Sequence, residues 1–103
     1  MTGLLGLLGL GLRGGNVVIG IEGVRAGLRA GRCQCVVVAS DASRRALEKV
    51  VRLAAGRGVP RVIGPPAVEL GARLGRPPVM VVGITDARLA RGAVAAAGVL
   101  MEE

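Results

Sequence analysis

Arg25, Arg29 and Arg32 recur at i, i+4 and i+7, which places them on one face if the segment is helical. A guanidinium forks onto phosphate oxygens, so such a stripe suits a phosphate backbone. Gly20 stands just ahead of the stripe, after the β-branched run Val17-Val18-Ile19. A glycine between a strand and a helix exposes backbone N–H groups at the positive end of the helix dipole, where a phosphate or a base edge can bind. A plain strand-to-helix turn has the same local sequence, and local physics alone does not separate the two.

Other chemistry is scarce. The chain has no His, its two cysteines are Cys33 and Cys35, and its seven carboxylates, apart from the terminal Glu102-Glu103, sit singly, mostly at helix starts or beside Arg. A serine or cysteine nucleophile would lack the commonest base, so the expectation is no enzyme and no catalytic residue. With two Cys and no His, a four-ligand zinc site cannot be assembled within one chain. Read as i and i+2 of one strand, the thiols share a face and pair poorly with each other, so buried reduced thiols in a cytoplasmic protein are expected. Gly9-x-Gly11-x-x-Gly14 spells a dinucleotide fingerprint, but a strand must precede its first glycine and a helix must start within it. Here a strand-like run follows instead, and no cofactor is expected.

The elements that position these residues follow from hydrophobic spacing. Leu4, Leu5, Leu8 and Leu12 suggest a first helix with a leucine face turned inward, ended by Gly14-Gly15. Val17 to Ile19 is a strand, Gly20 to Ala30 a helix closed by Gly31, and Cys33 to Ala39 a second strand. The two runs begin about sixteen residues apart, enough for a crossover helix, so they are expected side by side and parallel. Ser40-Asp41 offers N-caps for a helix to Ala55, burying Ala46, Leu47, Val50, Leu53 and Ala54. A third strand spans Val59 to Ile63, a short helix Ala67 to Leu74, and Gly75-Arg76-Pro77-Pro78 is a stiff loop. Val79 to Ile84 is the fourth strand, and Thr85-Asp86 caps a last helix through Ala97, with Gly98 as its stop and Glu102-Glu103 frayed. This alternation predicts a three-layer α/β/α sandwich around a four-stranded mixed or mostly parallel sheet.

Length and composition agree with one domain over residues 1–103. Hydrophobic residues make up 51% with no Phe, Tyr or Trp, so the core must be packed from small aliphatic side chains. The apolar run Gly3 to Leu12 is too short to span a bilayer, and neither a basic segment before it nor small cleavage-site residues after it suggest a signal peptide. Net charge is +7, and of fourteen basic residues only Lys49 is not Arg. High-GC coding bias accounts for Arg in place of Lys, but not for seven uncompensated charges; a polyanionic partner does.

Several short motifs, in order, carry a family resemblance over nearly the whole chain. They are Leu10 to Gly15, Val18-Ile19-Gly20, the eleven-residue step from Gly20 to Gly31, Val36 to Asp41, Val59-Pro60, Leu70 to Gly75 and Val81 to Asp86. Together they resemble the kink-turn RNA-binding ribosomal proteins known as "L seven Ae" and "L thirty e", and especially the small bacterial YlxQ-like branch.

The resemblance implies a sandwich that grips sharply bent RNA with one end of the molecule. In archaeal and eukaryotic members a Gly-x-Asn-Glu segment opening the second helix reads sheared G·A pairs. A basic residue on that helix meets the backbone, and an apolar loop before the last strand covers an extruded base. Carried over, Gly20 keeps the glycine, Ile21 follows, Glu22 stands at the Asn position and Gly23 at the Glu position. Ala26 takes the usual basic place with Arg25 beside it, and the apolar loop corresponds to Gly75, Arg76, Pro77, Pro78 and Val79. Arg25, Arg29, Arg32 and Arg76 would add phosphate contacts. The expectation is a cytoplasmic RNA-binding protein, associated with ribosomes or structured RNA such as ribosomal RNA, within a ribonucleoprotein that brings protein partners, and with no membrane role. The alternatives are a protein-interaction domain that kept the fold and lost the RNA contacts, and small-molecule binding at the glycine-rich N-terminus.

Overall fold

Helix and strand alternate as the hydrophobic periods require. The computed structural model describes residues 3–97. Its elements are α1 (Leu4–Arg13), β1 (Val17–Ile19), α2 (Ile21–Arg29), β2 (Cys35–Val38), α3 (Arg44–Gly56), β3 (Arg61–Ile63), α4 (Ala67–Arg73), β4 (Val81–Ile84) and α5 (Ala87–Ala97). The expected stop at Gly98 and the fraying of Glu102-Glu103 lie outside the described residues.

The sheet is mixed, in the order β1-β4-β2-β3. Strand β2 runs parallel to β3, and β4 lies antiparallel to both β1 and β2. The expected adjacency of β1 and β2 is therefore corrected: they point the same way, but β4 separates them. A crossover spacing sets direction, not neighbourhood, and β4 is buried along its whole length, so it belongs inside the sheet.

Two aliphatic cores flank the sheet. Leu8, Cys35, Val37, Val62, Leu70, Val82 and Ile84 pack with α1, α4 and α5 on one face, and Val24, Leu28, Val36, Val38, Val50 and Val81 with α2 and α3 on the other. Strand alternation divides β2 between them, which completes the three layers. In α1 the inward face differs from the leucine pattern. Gly11 is buried against Val17 and Leu89, and this approach turns Leu12 outward to 36% exposure.

Two caps are also reassigned. Ser43, not Ser40 or Asp41, caps α3, its Oγ accepting from the Ala46 N–H at 3.2 Å. Ser40 and Asp41 are taken up by a turn that the Ala42 N–H closes onto the Ala39 carbonyl. Asp41 Oδ1 instead accepts from the Ala67 N–H at 2.8 Å, tying the β2–α3 connection to the start of α4. Asp86 caps α5 as expected, its Oδ2 accepting from the Leu89 N–H at 2.9 Å.

The cysteines are free and buried, but on opposite faces of the sheet, because Cys33 precedes β2 and escapes its alternation. Burial pushes the Cys33 thiol up, partly offset by Arg32. It pushes Cys35 up to about 11, with Cys33 adding to the rise and a hydrogen bond to the Val36 backbone opposing it. The fold thus holds these protons more tightly than the unfolded chain, whose thiols titrate near 9.0. The resulting stability is complete below pH 9.0 and is lost as pH rises toward about 11. With no Tyr and a single Lys, few other side chains titrate there. Urea midpoints measured across that window should fall with pH, and Cys35→Ala should flatten the decline.

Candidate nucleic-acid interface

The Gly20 turn opens α2. Gly20 has φ +95° and ψ 161°, a region that is essentially glycine's alone, with open space beside it. Its N–H donates to the Val81 carbonyl at 2.9 Å, so the end of β1 is tied to the start of β4. No side chain caps α2, which leaves its first-turn N–H groups at the positive end of the helix. Glu22 stands there with its side chain 80% exposed, 3.8 Å from Arg25 Nη1. An exposed pair of this kind is worth about 0–1 kcal/mol, and a phosphate can displace it. Gly23 has a packing reason to be glycine, since a Cβ would lie 2.7 Å from Val18 Cγ1 on β1.

The loop after α4 reaches the same end of the sheet. Its backbone lies flush on α4 at Gly71, whose carbonyl accepts from the Arg76 N–H at 2.8 Å. Arg76, Pro77 and Pro78 are exposed, whereas Val79 is buried among the α1/α4/α5 core residues and cannot cover a base. The next residue, Met80, stands just before β4 and is exposed instead, at 37%. Met80 belongs to the tip by its backbone as well, its carbonyl accepting from the Ala39 N–H at 2.8 Å.

The fold therefore brings Gly20, Ile21, Glu22, Gly23, Arg76, Pro77 and Pro78 to one end, with Arg25 a turn further down α2. Arg29 and Arg32 are not brought to that tip. Arg29 ends α2, about 13 Å from Gly20 at the helical rise of ~1.5 Å per residue. Arg32 lies beyond the helix, past the left-handed Gly31, so the expected stripe stops at Arg29. Arg44 and Arg45 lie outside the site expected from the sequence. Both are exposed in the first turn of α3, which starts at the tip, and cations there oppose the helix dipole. Two arginines at a helix start were the available signal. The glycine fingerprint is absorbed differently, with Gly9 and Gly11 inside α1 and Gly14 as its C-cap, leaving no phosphate-binding turn.

The model of the ribosomal protein L7Ae/L30e/S12e/Gadd45 family matches residues 4–93. A solved structure described as a protein with unknown function from Bacillus halodurans C superposes with a TM-score of 0.87. It is 26% identical, and the match covers 93% of this chain and 97% of that one. No curated protein sequence matches. Among the described residues no helix is long and apolar enough to cross a membrane. By a family match spanning most of its length, the chain belongs to the ribosomal protein L7Ae/L30e/S12e/Gadd45 family, a non-enzymatic group whose membership points to RNA binding in a ribosomal setting.

Proposed function

We propose that this is a cytoplasmic RNA-binding protein of the YlxQ-like branch, forming a single domain that holds bent, kink-turn-like RNA at the Gly20 tip. One observation carries the reading. The uncapped start of α2 and the exposed Arg76-Pro77-Pro78 loop share one end of the sheet, coupled by the Gly20 N–H bond to Val81. Open N–H groups and Arg25 would meet phosphate and base edges, and Pro77, Pro78 and Met80 would offer an apolar seat for an extruded base. Phosphate contacts would supply most of the affinity, so binding should weaken steeply with salt.

A gel shift with a kink-turn RNA and a straight duplex, each at two salt concentrations, tests this. Preference for the bent RNA at both salts is the expected result. Equal affinity for the two RNAs would reduce the tip to charge attraction and sink the proposal. The exposed carboxylate of Glu22 favours a second reading, a protein-interaction domain that kept the fold. That reading predicts no salt-sensitive RNA retention at all.

A further inference from the structure

The molecule's positive charge is not concentrated at the tip. Beginning at Arg25, a groove of about 470 Å³ runs between α2 and α3. Its charged lining is Arg25, Arg29, Lys49, Arg52 and Arg57, with Glu48 the one acid. Two structural features hold this lining together. Arg57 Nη1 donates to the Arg29 carbonyl at 3.1 Å, which joins the last turns of the two helices and satisfies an end carbonyl of α2. Small and aliphatic residues, Ala46, Val50 and Ala54, turn the opposite face of α3 into the core and commit Lys49 and Arg52 to the outside.

Among the described residues this charge is only partly balanced. Arg25 makes a 3.8 Å contact with the exposed Glu22, and among the described residues its buried Nε has no hydrogen-bond acceptor. Five cations against one carboxylate in the groove repel one another, and that repulsion costs stability unless an anion enters. Four of the five are Arg, whose planar fork suits phosphate oxygens.

We infer that the α2/α3 groove is a second RNA contact, a track for the phosphate backbone of the stem leaving the bend. The inference rests on the RNA reading of the tip, but it concerns a different surface and a different task. The tip selects the bent shape, and the groove adds affinity without regard to shape or sequence. The groove starts one helical turn from Gly20 and extends about 12 Å along α3, from Glu48 to Gly56 at ~1.5 Å per residue. That length spans a few consecutive phosphates of one strand.

The test uses Lys49→Gln together with Arg52→Gln, both exposed on α3 and without a hydrogen bond or ion pair among the described residues, with circular dichroism to verify folding. Affinity for the kink-turn RNA and for the straight duplex is measured over a salt series. Removing two phosphate contacts should lower the slope of log K against log salt by about 2 on both RNAs, leaving the preference between them unchanged. An unchanged slope in the folded variant, with the wild type still preferring bent RNA, would overturn the groove and spare the tip. A slope that falls on bent RNA alone would also overturn it, because the groove would then be part of shape selection. If the wild type binds neither RNA, both readings fall.

Discussion

Replacing Gly71 with alanine should lower the melting temperature by several degrees and remove most of the preference for bent RNA. The new Cβ would overlap the Pro77 carbonyl oxygen and lie 2.7 Å from its carbon and 2.8 Å from the Arg76 carbonyl oxygen. These are backbone atoms, so no side-chain rotation relieves the clash. Overpacking of this kind costs about 1–3 kcal/mol, while alanine returns up to ~1 kcal/mol of helix propensity. A net loss near 1–2 kcal/mol corresponds to roughly 4–16 °C in a domain of this size. The larger effect is on function, because the displaced segment is the exposed Arg76-Pro77-Pro78 loop. Gly56→Ala is the control, since nothing lies within 4 Å of that position. Calorimetry and gel shifts on the two variants should diverge. Intact bent-RNA preference in a destabilised Gly71→Ala protein would show that the loop takes no part in recognition.

Gly20→Ala is the second large effect, and its cause is backbone strain. Space beside Gly20 is open, so the substitution meets no neighbour, but φ +95° with ψ 161° is a conformation L residues avoid. Holding alanine there costs about 1–3 kcal/mol. The chain can relax only by rotating the peptide that donates to Val81, which breaks the link between the α2 start and β4. Bent-RNA affinity should fall at least about tenfold, an energy of ~1.4 kcal/mol. The salt slope should stay near that of the wild type, since the groove arginines remain in place. A Gly20→Ala protein with wild-type discrimination would remove the turn from the interface.

The reading by residue spacing succeeded where the physics is local. Helix α3 shows its buried Ala46, Val50 and Ala54 at helical period, and Asp86 caps α5 from the position its type predicts. The aliphatic runs of β2 and β4 are buried strands inside the sheet, as their composition requires. Family membership was legible for the same reason, since short glycine and valine motifs in fixed order encode turns and strands one by one.

What spacing could not decide depends on which distant segments meet. Asp41 reads as a local cap, yet it serves a helix 26 residues onward, because the sheet brings Ala67 beside it. Val79, expected on the apolar loop, is drawn into the core where its N–H bonds the Ala67 carbonyl at the start of α4, which leaves the next residue, Met80, at the surface. Cys33 and Cys35 part to opposite faces because the strand begins between them. Arg29 leaves the tip simply because helix length is distance, and it acquires Lys49 and Arg52 as neighbours only when α3 packs on α2. Residue types and their periods thus determined the elements and the layers. The location of the charges and the identity of the exposed tip residues were decided by sheet order and helix packing, which long-range contacts alone select.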